Sequence, residues 1–358
     1  MKHRRVLLSV LIFILVITGA AYVFRTPLVL AVGKKIAAQR MAADPVAELP
    51  DGLHVGLCGS GSPFPDDKRT GPCTLVIAGK RVFVFDAGSG SVRNIGKMGI
   101  AHGRIEAIFL THFHSDHIDG LGELLLQRWA SARNTVPVPI YGATGVETVV
   151  AGFMQAYKQD QGYRVAHHGD ATVPASGFGA IAHPFAIGPD ASVVMLKDAD
   201  LEISAFAVDH SPVHPAVGYK IRYKDHVIVL SGDTKKATSV QRESEGVDVL
   251  VHEALSTTLV NVLVQGATDA GRPNLTKIFK DINDYHTTPA QAAEIARDAK
   301  VGYLLLNHIV PALPLPGMEQ AFLGDAPQIY SGPIRVGNDG DFLSLPAGSK
   351  DIRVKRLF

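Results

Sequence analysis

The chain is poor in cysteine, with two in 358 residues against 15 histidines. A thiolate-based metal site is therefore excluded, and any bound metal must be held by imidazole and carboxylate. Charge of one sign is also missing. Lys+Arg is 35 and Asp+Glu is 34, a net +1, without the basic surplus that marks a polyelectrolyte-binding chain. Long nucleic acid is accordingly not the favoured substrate, with a local basic groove left open as the alternative. No repeat or low-complexity tract interrupts the sequence. What is present is a 46% apolar fraction with 19% charged residues, enough for a substantial core in a compact body.

The one long hydrophobic run is N-terminal. Lys2, His3, Arg4 and Arg5 precede an uncharged stretch from Val6 to Phe24, which at about 1.5 Å per residue nearly matches a bilayer core of about 30 Å. Gly19, Ala20 and Ala21 offer a small-residue cleavage site, but apolar character resumes from Leu28 to Val32. Residues 1–25 are thus expected to be a retained membrane anchor with its basic end in the cytoplasm. A cleaved signal is the competing reading. Both export the body of the protein to the periplasm or cell exterior. Residues 26–50 read as a partly helical linker, and 51–358 as the folded domain. Cys58 and Cys73 either pair in an oxidising compartment or are two buried small hydrophobes.

Beyond residue 54 the text alternates strand-like and helical runs. Leu75–Ala78 and Val82–Phe85, joined by Gly79-Lys80, predict a hairpin. Ile105–Leu110 reads as a strand, and Gly120–Trp129 has helical periodicity. Pro137–Tyr141 and Leu201–Val208 read as strands around a polar, helical insertion at about 144–188. Val217–Tyr223 and His226–Leu230 form a second hairpin. Val247–Val251 and Gly302–Leu306 are further strands, with an amphipathic helix at Thr288–Lys300. Strands interleaved with helices predict an α/β layered domain.

The chemistry concentrates in Thr111-His112-Phe113-His114-Ser115-Asp116-His117, directly after a strand. On extended chain, alternate residues point the same way, so His112 and His114 can aim at one metal. Where the chain turns toward the helix, Asp116 and His117 can aim at a second. A solvated polar loop with accidental histidines is the bland alternative.

This segment matches the His-x-His-x-Asp-His signature of the metallo-β-lactamase superfamily. Leu57 to Pro63 and Phe85 to Gly90 resemble the glycine-rich turns of that fold's first half. The chain is similar to the ribonuclease Z branch, particularly its arylsulfatase-like members. It shares a histidine stretch before a Gly-Tyr strand (209–219), Ser-Gly-Asp-Thr (231–234), Asp-x-Leu-x-His-Glu (248–253), His-x-Thr (286–288) and a strand histidine at 308. The resemblance implies a four-layer αββα sandwich and two divalent metal ions, zinc first, with manganese or iron as alternatives. It implies that His112, His114 and His210 hold one ion, that Asp116, His117 and His308 hold the other, and that Asp233 bridges them. His214 is the rival of His210, which is preferred because the family's ligand precedes the proline-containing turn. Among catalytic residues it implies Asp116 and His286, the latter stabilising the transition state or protonating the leaving oxygen. Asp86, His252 and Glu253 look like groups that orient ligands.

The expected function is hydrolysis of small phosphodiester or aryl sulfate esters by attack of a water activated between the two metals. The alternative is a ribonuclease Z-type RNA endonuclease. Against it stand the expected export and the segment Leu255–Asp284, which has Arg272, Lys277 and Lys280 but no long glycine-rich basic arm. A lactonase or thioesterase ranks lower, because their usual Gly-His-Thr-x-Gly-His context is missing. A non-catalytic binding module ranks last, since every ligand position is filled. The oligomeric state is left open, a homodimer included.

Overall fold

The computed structural model describes residues 2–358; Met1, within the expected anchor, lies outside the described residues. The chain divides into two units, Met1–Pro45 and Val46–Phe358.

The first unit is one helix, Lys2–Ala42. With a mean hydropathy of 2.7 over its most apolar 18 residues and exposed apolar side chains, it is long and apolar enough to cross a membrane. The helix runs without a break past residue 25 and through most of the 26–50 segment expected as a partly helical linker. Pro27 removes one backbone donor, but the apolar residues Leu28 to Val32 and the helix formers after them carry the coil onward.

The second unit begins at Val46, just before the expected boundary. In chain order its strands are β1 (Gly52–Gly59), β2 (Cys73–Ala78), β3 (Arg81–Phe85), β4 (Ile105–Phe109), β5 (Val138–Ala143), β6 (Ala180–Phe185), β7 (Ser192–Lys197) and β8 (Leu201–Ala207). They continue with β9 (Val217–Tyr223), β10 (His226–Leu230), β11 (Val249–Leu255), β12 (Tyr303–Val310), β13 (Ile334–Val336), β14 (Asp341–Pro346) and β15 (Arg353–Arg356). One sheet has eight strands in the order β15-β14-β1-β2-β3-β4-β5-β6, the other seven in the order β13-β12-β11-β10-β9-β8-β7.

Strand alternation builds the layers. Phe83 and Phe85 of β3 join Leu53, Tyr219 and Val249 between the sheets, whereas Val82 and Val84 face a second cluster with Leu121 and Leu124 of the helix Leu121–Ala132. A third cluster packs Leu304 and Leu306 of β12 against Ala292 and Ile295 of the helix Pro289–Asp298. These three apolar layers separate four layers of structure, the expected αββα sandwich. Central strands buried on both faces read as continuous apolar runs, which is why the sequence reveals them.

The insertion at 144–188 needs correction. Its helix Val146–His168 is there, but its end is β6, an edge strand paired parallel to β5. β6 reads Ala-Ile-Ala-His-Pro-Phe, and its half-exposed pattern hides it. Pro184 is tolerated there because an edge strand has free donor positions.

β3 to β6 run parallel, as do β10 to β13. The chemistry-bearing residues cluster at the C-terminal ends of these strands, where open α/β sheets form their sites.

Candidate metal centre

His112, His114, Asp116 and His117 follow β4 and turn into a short helix, Ser115–Ile118. Asp86, at the end of β3, braces that loop. It accepts hydrogen bonds from the Thr111 N–H and the Thr111 hydroxyl, both at 2.8 Å, and from His117 Nδ1 at 2.8 Å. Asp86 has φ 59°, a left-handed conformation that Asp tolerates better than most residues. Gly88 sits where a Cβ would lie 2.4 Å from the Asp116 carbonyl, so the loop closes only over glycine.

Asp233 follows β10 through Gly232, whose φ of 61° and neighbouring Val217 carbonyl also require glycine. His308 is placed by a bulge. Glu253 of β11 pairs with Asn307 of β12, the next pair is Ala254 with Ile309, and His308 is the extra residue at φ 45°. Such a bulge re-aims a side chain and is common beside active sites.

The expected ligand positions converge. Potential donor atoms of His112, His114, His210 and Asp233 lie within 4.8 Å of one another, as do those of Asp116, His117 and His308. Asp233 Oδ2 lies 3.2 Å from His117 Nε2, 3.2 Å from His308 Nε2 and 3.9 Å from His112 Nε2. His112 Nε2 and His114 Nδ1 face each other at 3.0 Å. Buried His117 Nε2 and His210 Nε2 have no hydrogen-bond partner among the described residues. Unpartnered buried nitrogens facing carboxylates fit divalent cations, as do hard carboxylate oxygens beside borderline imidazoles.

The electrostatics agree. Burial pushes His112 well below its ordinary value and also lowers His114 and His210, leaving neutral imidazoles suited to ligation. Burial would likewise lower His117, but the carboxylates of Asp233, Asp86 and Asp116 outweigh it and raise that imidazole. Burial would raise Asp233, yet His308 and His117 hold it well below the carboxylate range. The pocket is built for positive charge.

Of the two rivals, His210 lies in the cluster and His214 does not. His210 Nδ1 donates to the Tyr285 carbonyl at 2.9 Å, while His214 is exposed and its Nε2 meets the Ser211 hydroxyl at 3.1 Å. His286 precedes the helix Pro289–Asp298, whose capping box of Thr288 and Gln291 fixes the direction of the chain. His286 Nδ1 donates to Glu253 Oε1 at 3.1 Å, and His286 also lies within reach of Asp233 and His308. Burial would lower its pKa, but Glu253 raises it above the ordinary value.

Of the expected orienting groups, Asp86 contacts an expected ligand, His117, whereas Glu253 contacts His286 and the backbone of Thr234 and Thr287. His252 hydrogen-bonds to no expected ligand: its one hydrogen bond among the described residues goes to the Glu253 carbonyl at 2.7 Å. His167 and His168 are exposed at the end of the helix Val146–His168. Sequence reading missed Thr111, which links Asp86 to His112 Nδ1 at 3.0 Å, and the backbone of Tyr285. Only their adjacency to His112 and His286 hinted at them. Cys58 and Cys73 form a disulfide joining β1 to β2.

Comparison with known proteins gives the same family. The Beta-lactamase superfamily domain matches residues 81–309. Ribonuclease Z of Mycobacterium bovis (strain BCG / Pasteur 1173P2) is 37% identical over 290 residues, covering 80% of this chain and 96% of the relative. Ribonuclease Z of Mycolicibacterium gilvum is 36% identical over 289 residues, covering 80% and 94%. Human tRNase Z, short form, shares the fold at a TM-score of 0.58 and 19% identity, over 82% of this chain and 99% of that one. The metallo-beta-lactamase fold protein YhfI from Bacillus subtilis does so at 0.57 and 21%, over 82% and 100%. The relatives' name stands against the expectation that nucleic acid is an unfavoured partner, and a near-neutral net charge says nothing about local charge beside a cation site. The chain belongs to the metallo-β-lactamase superfamily, in its ribonuclease Z branch, and is a metal-dependent hydrolase of ester bonds.

Proposed function

We propose that this enzyme cleaves phosphodiesters with two divalent cations, zinc first, and that RNA is its substrate class. The observation that carries the reading is the convergence of the two ligand groups on Asp233 beside the His286–Glu253 pair. The relatives named ribonuclease Z support RNA. In this reading His112, His114 and His210 would hold one cation and Asp116, His117 and His308 the other, with the Asp233 carboxylate available to both. Cations held there would supply an activated water and charge neutralisation at the attacking and leaving oxygens.

The remaining work falls to side chains. Asp116, which lines the cleft and whose Oδ2 lies 3.3 Å from His308 Nε2, accepts a hydrogen bond from the attacking water. His286 donates Nδ1–H to Glu253, whose charge favours the imidazolium, and the second proton, on Nε2, is the one delivered to the leaving oxygen.

A second reading, small aryl phosphodiesters or aryl sulfates, has its own support. The cleft over the site is about 240 Å³ and no lysine or arginine lines it. The N-terminal helix is proposed to cross a membrane with the catalytic unit outside the cytoplasm, where a disulfide such as Cys58–Cys73 persists.

The test is a substrate panel for the metal-loaded protein and Asp233→Ala: an RNA with a 3′ extension, bis(4-nitrophenyl) phosphate, 4-nitrophenyl sulfate, a lactone and a thioester. RNA cleavage lost in Asp233→Ala is the expected result. Hydrolysis of the aryl phosphodiester or sulfate without RNA establishes the second reading. Turnover of the lactone or thioester alone overturns both.

A further inference from the structure

We infer that the cleft seats a planar aromatic group of the substrate, a base or an aryl ring, and that Tyr285 is its specificity-determining residue. The inference rests on the phosphodiesterase reading. Away from the ligand cluster the cleft wall is apolar, made by Pro63, Phe64, Ile282, Tyr285 and Val310. With no lysine or arginine there, phosphoryl charge must be met at the cation site. The rest of the substrate then lies against hydrocarbon and rings.

The rings are placed in advance. The carbonyl of Tyr285 accepts from His210 Nδ1, which fixes the residue relative to the ligand cluster. Its half-buried ring lies 4.8 Å from the His286 ring and 5.1 Å from the His210 ring. In the same cleft wall, Phe64 is braced by Phe279 at 5.7 Å between centroids. Phe279 belongs to a helical hairpin, Thr257–Asp269 and Pro273–Asp281, inserted between β11 and His286. Backbone bonds from Leu255 N to the Thr287 carbonyl and from Ser256 N to the Val310 carbonyl, both 2.8 Å, anchor its base at the cleft. Two half-buried rings held this way lose little freedom on binding, and a base or aryl face stacks on either without a sequence-specific hydrogen bond. An alkyl chain gains the apolar contact but not the stacking.

The test compares phenylphosphonate with cyclohexylphosphonate, which share charge and approximate bulk, by calorimetric titration of the metal-loaded full chain. Wild type is expected to prefer the phenyl compound roughly tenfold, within the range of a single base–aromatic stack. Tyr285→Leu and Phe64→Leu should each shrink that preference at unchanged metal content, and Tyr285→Phe should keep it. Equal binding of the two compounds by wild type, or a preference that survives in both leucine variants, overturns the inference. Hydrolysis of bis(4-nitrophenyl) phosphate by wild type is measured in parallel. Its absence with the phenyl preference intact sinks the phosphodiesterase reading and leaves the aromatic subsite standing.

Discussion

Glu253 and His286 meet at 3.1 Å between Oε1 and Nδ1, although β11 and the start of the helix Pro289–Asp298 supply them separately. The same carboxylate oxygen accepts the Thr287 N–H at 2.9 Å, so the pair is rigid as well as charged. His286→Ala should keep both metals and lose about 10²–10⁴-fold in turnover. The loss should shrink for esters with very acidic leaving groups, which depart without a proton. Glu253→Gln removes the charge that raises the His286 pKa, so the alkaline limb of the pH–rate profile should move to lower pH. Metal loss in His286→Ala would instead make this residue a ligand, as its reach to Asp233 and His308 allows.

Removing a ligand should act differently. Asp233→Ala and His114→Ala are expected to lose metal together with rate, with elemental analysis of wild type giving two ions per chain. Asp233 faces both ligand groups, so its alanine variant should bind less metal than His114→Ala. A zinc-saturated wild type holding a single ion would refute the bridging role.

Most of this centre was legible before any coordinates. His112 to His117 and Asp233 follow buried apolar strands and His308 lies near the end of one, and a strand buried on both faces announces itself as an unbroken hydrophobic run. The edges were silent. β6 and β7 alternate half-exposed residues at the ends of their sheets, and their composition resembles loop. The bulge that aims His308 leaves no mark in sequence, because its cause is a register shift between β11 and β12. Tyr285 was overlooked for a related reason, since its backbone carbonyl holds His210 and any residue type supplies one. Whether Cys58 and Cys73 pair depended on the β1–β2 register, which spacing cannot fix.

Export can be tested through that disulfide and through topology. A reporter fused after Phe358 should be active only if it works outside the cytoplasm. The Cys58→Ser, Cys73→Ser double variant, which opens a link across a separation of 15 residues, should lose about 3 kcal/mol in urea unfolding. Free thiols in protein taken directly from cells, together with cytoplasmic reporter activity, would place the catalytic unit inside.

The last prediction concerns acid stability and lies away from the metals. His54 on β1 is buried, with Nε2 donating to the Pro50 carbonyl at 3.1 Å and Nδ1 facing the Ser344 hydroxyl at 2.9 Å. The neutral ring satisfies both partners, one as donor and one as acceptor. Burial, with help from Lys80 and Lys355 and against the Pro50 carbonyl, lowers its pKa to about 4. In the unfolded chain the same imidazole titrates near its ordinary 6.5. Below that value the unfolded state binds a proton that the folded state refuses, so His54's contribution is complete above about pH 6.5 and drains away as pH falls toward 4. The full loss is on the order of 3 kcal/mol. His54→Gln should cost stability at neutral pH through imperfect packing, yet show a shallower decline on acidification. The measurement is urea unfolding of both proteins between pH 7.5 and 4.5 at fixed zinc. If their stability difference stays constant over that window, His54 is not the group that titrates.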